Sequence, residues 1–161
     1  ANFRNVCNDN YQLMTGLLEA GLPLPEAWRT IAAYVLNDDL LHFFENNQGL
    51  HIQSLQRIVN DLQNWNIELS DAEALRHAAG RRIFREILLI EQDQSAPQRI
   101  QWLCEVLDTL AKLELEPDIW RSQNVFYVET KGHRKGLWEF VNTDWREAFE
   151  RLGALLQVRL V

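Results

Sequence analysis

Apolar residues recur at three- and four-residue spacing along almost the whole chain, the signature of helices with one buried face. A first helix is expected from about Asp9 to Ala20, with Leu13, Met14, Leu17 and Leu18 inward and Gly21 as its C-terminal cap. Leu22-Pro23-Leu24-Pro25 is a stiff extended connector, because proline fixes its own φ and disfavours helix in the residue before it. The next stripe is Leu24, Trp28, Ile31, Ala32, Val35 and Leu36. Asn37 is placed to cap a short further helix, with Asp38 and Asp39 in its first turn and Leu40, Leu41, Phe43 and Phe44 as its apolar side.

A fourth helix spans roughly Ile52 to Trp65, its arc formed by Ile52, Leu55, Ile58, Val59, Leu62 and Trp65. Ser70-Asp71-Ala72-Glu73 is a capping box, which starts a helix at Asp71 and carries it to about residue 92. Leu75, Ala79, Ile83, Ile87 and Ile90 set its core direction. Glu73, Arg76, His77 and Gly80 fall within or beside that arc in the first three turns, whereas Arg81, Arg82 and Arg85 point away as a solvated face. A polar inward patch of this kind is either an internal ion-pair network or the wall of a site.

Pro97 opens a sixth helix, with Ile100, Leu103, Cys104, Leu107, Leu110 and Ala111 in register, and Pro117 opens a seventh. Lys131-Gly132-His133-Arg134-Lys135-Gly136 reads as a basic solvated loop. The last helix aligns Trp138, Val141, Trp145, Ala148, Phe149 and Leu152, with Gly153 ending it and 155–161 as a short extended tail. No internal repeat or domain boundary is visible. The fold class is all-α: an irregular bundle of seven to eight helices in a single domain, 1–161.

Length and charge narrow the function. At 161 residues one domain can bury roughly 70% of its unfolded surface, so a disulfide or metal is not required for a core. A formal charge of -7 argues against nucleic acid as the partner, since phosphate binding needs concentrated positive charge. No apolar run reaches the ~18 residues of a membrane span. Cys7 and Cys104 have no motif spacing and read as buried free thiols, which makes the cytoplasm the default location. The chain starts at Ala1 without an initiator Met, so a C-terminal fragment of a longer protein is expected.

Catalytic chemistry finds no foothold. His42, His51, His77 and His133 have no His or Cys partner three or four residues away, so no metal site or other cofactor is expected. There is no nucleophile elbow, no Cys–His signature and no glycine-rich phosphate loop.

Glu116 to Tyr127 stands apart. On a helical wheel Gln123, Tyr127, Trp120 and Asn124 follow one another within about 100°. Two aromatics and two amides side by side suit sugar rings and their hydroxyls, because an amide both donates and accepts. The same amides could instead bond the backbone of adjacent helices. On either reading the stretch is expected to form the inner face of a bundle.

Asp118-Ile119-Trp120-Arg121-Ser122-Gln123-Asn124-Val125-Phe126-Tyr127 resembles the leucine/isoleucine-tryptophan-arginine-x-glutamine-asparagine stretch of an uncharacterised bacterial C-terminal region. That region follows a glycoside hydrolase family 57 catalytic domain. Leu22 to Trp28, Tyr34 to Asn37 and Ala78 to Arg81 are similar to further segments of it. The resemblance implies a non-catalytic helical accessory domain, active in carbohydrate metabolism by packing against the catalytic barrel of the same chain. It further implies a contribution to an α-glucan cleft from Trp120, Gln123, Asn124 and Tyr127, with Glu73, Arg76 and His77. The acid and nucleophile would lie in the barrel, so it implies no catalytic residue here. A purely structural or protein-interaction module is the alternative.

Overall fold

The computed structural model describes residues 2–46, 51–92, 97–133 and 143–158. Among them are seven helices and no strand: α1 Phe3–Glu19, α2 Glu26–Glu45, α3 Ile52–Asn64, α4 Ala72–Gln92, α5 Pro97–Ala111, α6 Trp120–His133 and α7 Thr143–Leu155. The all-α bundle is as the periodicity predicts.

Four helices close a ring, in which α2 packs on α3, α3 on α5, α5 on α4 and α4 back on α2. The other three are satellites: α1 lies on α2, α6 on α4 and α7 on α5. α5 is the most deeply enclosed, with Ile100, Trp102, Leu103, Cys104, Val106, Leu107, Thr109 and Leu110 all buried. A helix apolar on nearly every side belongs in the middle of a fold. Ala111, expected inward, is exposed at its end. The rings of Phe126, Phe149 and Trp145 stack in sequence, centroids 4.2 Å and 4.7 Å apart, and tie α6 to α7.

Several boundaries move. α1 begins at Phe3 rather than Asp9, because Asn2 caps it by accepting the Arg4 N–H at 3.0 Å. It rests mainly on α2, so its buried residues are Cys7 and Met14, while Leu13 and Leu18 face outward. The helix expected to start after Asn37 does not exist as a separate element, since α2 runs through. Asn37 lies buried in mid-helix, where its amide donates to the carbonyls of Ala33 (2.8 Å) and Glu68 (3.1 Å) and its oxygen accepts the Ser70 N–H (2.8 Å). A side chain usually drawn to a helix end is thus satisfied by the α3–α4 loop instead. Asp71, one residue beyond Ser70, makes the α4 cap by accepting from the Ala74 N–H at 2.9 Å.

Arg82 corrects the reading of a solvated face. It is buried, pairs with the equally buried Glu86 at 3.0 Å and lies over the Trp102 ring. α4 has helices on more than one side, so a second inward face exists that one stripe cannot show. Gly153 sits buried inside α7, which continues to Leu155 and ends in a turn rather than an extended tail. The basic stretch from Lys131 extends α6 through His133; 134–136, like Trp138 and Val141, lies outside the described residues.

Four helices end in one backbone device. After α1, α3, α5 and α7 a left-handed residue and the residue following it each donate back to the last turn; the left-handed residues are Gly21, Asn66, Glu114 and Gln157, with φ of 70°, 50°, 53° and 58°. In α1 the Gly21 N–H reaches Leu18 O at 2.9 Å and the Leu22 N–H reaches Leu17 O at 2.8 Å, the Schellman pattern. Glu114 and Gln157 carry a Cβ where glycine would avoid the clash. Glu114→Gly is therefore expected to stabilise the fold by roughly 0.5–1 kcal/mol, the strain relieved less glycine's larger entropy loss. A rise in the urea midpoint at unchanged slope checks it.

Candidate functional site

The α4–α6 seam is built around Gly80. A Cβ there would sit 2.2 Å from the Asp118 carbonyl oxygen, so the bare backbone is what admits the loop before α6. Two hydrogen bonds then hold the loop. The Asp118 N–H donates to the Arg76 carbonyl at 3.2 Å, and Arg76 Nε donates to the Glu116 carbonyl at 2.8 Å. On the outer side Glu73 receives Arg76 Nη1 at 3.1 Å and lies 3.0 Å from His77 Nε2. Asp118 Oδ2 lies 3.7 Å from His77 Nδ1. Glu73, Arg76 and His77 thus sit together as a largely exposed polar staple, where an inward-facing patch is expected from the helical wheel.

Residues 115–119 have no regular structure, and α6 begins at Trp120 rather than at Pro117. The inward face of α6 differs from the one expected. Ser122 and Phe126 are buried, with Ile119 and Val125 packed against the core beside them. Trp120, Asn124 and Tyr127 turn outward, joined by Val128, and Trp120 is 67% exposed. Of the four residues expected to face inward, Trp120, Asn124 and Tyr127 face outward and Gln123 is half-buried. A signal was present: small Ser122 one turn before Phe126 marks a close helix contact, and the buried Ser122 hydroxyl has no partner among the described residues.

Gln123 divides the two faces. Its amide donates to the Leu156 carbonyl at 2.8 Å and so fastens α6 to the end of α7. It also borders a groove of about 490 Å³ between the ends of α5 and α7, where Asp108, Glu114, Glu116 and Gln157 form a polar rim. Asp108 is already paired with Arg151.

A second concavity, of about 250 Å³, lies between α1, α2 and α3. Tyr11 Oη donates to Asp61 Oδ1 at 3.0 Å inside it, and burial pushes the Asp61 carboxyl above its ordinary range. Sequence reasoning missed this pair, which is fifty positions apart and had no motif to announce it.

Nucleophilic and metal chemistry gain no geometry. Burial pushes the Cys104 thiol up to about 11, and it donates weakly to the Ala148 carbonyl at 3.8 Å. Burial raises the Cys7 thiol as well. Among the described residues no group of three His, Cys, Asp or Glu could hold a metal ion, and no helix is long and apolar enough to cross a membrane. Comparison with known proteins finds no family model, no curated protein and no solved structure that matches the chain.

Proposed function

We propose that the chain is a non-catalytic helical accessory domain of a glycoside hydrolase family 57-like protein. It packs beside the catalytic barrel and lends the outer stripe of α6 to an α-glucan-binding cleft. The observation that carries the reading is Trp120, two-thirds exposed at the first turn of α6 behind a loop stapled to α4. Tryptophan is usually well covered, so an indole held in water by a rigid mount points to a partner that covers it. Its flat face suits the apolar side of a glucose ring. Asn124, one turn on, offers a donor and an acceptor to hydroxyls, and Tyr127 extends the surface.

The alternative, a purely structural or protein-interaction module, is favoured by one observation: Gln123 spends its amide on Leu156 and not on a ligand. Titration with malto-oligosaccharides separates the two. Trp65, Trp102 and Trp145 are buried and Trp28 is half-buried, so the Trp120 contribution is read as the difference between the emission of the unaltered chain and that of Trp120→Ala. The expected result is a blue shift on adding glucan that Trp120→Ala abolishes while helicity is unchanged. Loss of one aromatic stacking platform should weaken binding about tenfold. If neither the chain alone nor the chain mixed with a family 57 barrel responds to glucan, sugar contact is excluded and the interaction module stands.

A further inference from the structure

The groove of about 490 Å³ between the ends of α5 and α7 joins an apolar lining to an acidic edge. Leu107 and Ala111 of α5, Leu115, Pro117 and Ile119 of the linker to α6, and Leu155 of α7 supply the hydrocarbon. Leu107 and Leu115 are buried, but Pro117, Ile119 and Leu155 are only half-buried and Ala111 is open to solvent. Asp108, Glu114 and Glu116 are exposed along the edge, and no cation lines the groove among the described residues. Asp108 already pairs with Arg151, which lines a neighbouring hollow instead. Glu114 and Glu116 have no ion-pair partner among the described residues. Helix ends reinforce the sign. α5 ends at Ala111 and α7 at Leu155, so two negative macrodipole ends meet here, against one positive start, that of α6 beside Gln123.

Hydrocarbon edged by carboxylates is complementary to hydrocarbon flanked by cations. A peptide offers that surface either extended or as a helix. An extended segment draws its affinity from main-chain pairing. Here the linker backbone is already spent on α4: the Asp118 N–H donates to the Arg76 carbonyl, the Glu116 carbonyl accepts from Arg76 Nε, and the Asp118 carbonyl closes on Gly80. Recognition is left to side chains, which is how an amphipathic helix is read in a groove. A metabolite-sized amine carries the charge with too little hydrocarbon to cover a lining drawn from three segments.

We infer that this groove docks a basic amphipathic helix of a partner protein, its leucine-type side chains on the apolar lining and its lysines or arginines beside Glu114 and Glu116. Trp120 does not line the groove, and the inference stands whether or not the α6 stripe meets glucan.

The probe is a capped peptide of about 14 residues, long enough to form a helix, built of leucine and lysine with the leucines at three- and four-residue spacing. Titrated into the isotope-labelled chain, it is expected to shift the backbone amides of Leu107, Ala111, Glu114, Gln123 and Leu155 saturably. Binding should weaken as salt is raised, because exposed charges are screened. Glu114→Gln with Glu116→Gln should weaken it about tenfold, and Ala111→Arg, which sets a long cation at an exposed helix end, at least as much. An isomer in which leucine and lysine alternate, and a leucine–glutamate counterpart of the probe, should each bind at least about tenfold more weakly. Circular dichroism checks that the variants fold; should either not, the peptide series on the unaltered chain decides alone. Shifts absent or scattered over other acidic surfaces, or an alternating isomer that binds equally well, overturn the proposal. Spermidine producing the same saturable shifts overturns it too, in favour of a small-amine site.

Discussion

Gly80→Ala unfolds the protein at a markedly lower denaturant concentration than wild type, although helix propensity alone predicts the reverse. Glycine inside a helix costs about 1 kcal/mol relative to alanine, so an exposed position would gain from the exchange. Here the new methyl meets backbone, with Asp118 O at 2.2 Å, its C at 3.0 Å and its N at 3.2 Å. Backbone cannot rotate aside as a side chain can. Either α4 and the loop separate, breaking the Asp118–Arg76 and Arg76–Glu116 hydrogen bonds, or the clash is retained. Overpacking of this kind costs typically 1–3 kcal/mol beyond the propensity gain, and valine should cost more than alanine. Equilibrium denaturation followed by circular dichroism measures it. A Gly80→Ala protein as stable as wild type would mean that the seam is loose and does not mount Trp120.

Glu86→Gln is expected to cost more still, about 3–5 kcal/mol, because it strips the counter-charge from a buried arginine. Glu86 and Arg82 are 6% and 4% exposed at their side chains, and Glu86 bridges Arg82 to the partly exposed Arg99. Arg82 also donates to the Asn46 carbonyl and lies 5.4 Å from the Trp102 ring centre, so it is fixed in place and cannot escape to water. Against a total stability of roughly 5–15 kcal/mol such a loss is severe. Removing both charges is a different experiment. Arg82→Met with Glu86→Leu leaves no orphaned ion and should lie much closer to wild type than Glu86→Gln alone. Strict additivity of the single losses in the double variant would refute the account, since contacting residues in one network must couple.

These two positions show what the chain makes legible and what it does not. Leu55, Ile58, Val59, Leu62 and Trp65 were readable as an inward arc because α3 has one dominant buried face. Arg82 was not, because α4 packs on α2, α5 and α6 and no single wheel direction represents three partners. Asn37 misled for another reason. Its capping tendency is local, whereas the bonds that satisfy it come from Glu68 and Ser70, more than thirty residues away. At the candidate site, the grouping of Trp120 with Asn124 and Tyr127 was legible from spacing alone. Which side of α6 faced water was not, since aromatic content suggested burial and the decisive contact, Ser122 and Phe126 against the core, depends on the neighbouring helices. The Tyr11–Asp61 pair was invisible for the same reason: separation along the chain carries no trace of proximity in space.

The ring of four helices with three satellites also sets the order in which parts of the molecule let go. α2, α3, α4 and α5 each lean on at least two others, so none can leave without opening the rest. α1 packs chiefly on α2 and contributes two buried residues, and it is latched near its start by Arg4 on Asp38 and Asp39 and at its middle by Tyr11 on Asp61. Local opening begins where apolar contact is sparsest. Because α1 supplies Cys7 and Tyr11 to one wall of the small cavity, lifting it bares the Cys7 thiol and the Asp61 carboxylate together.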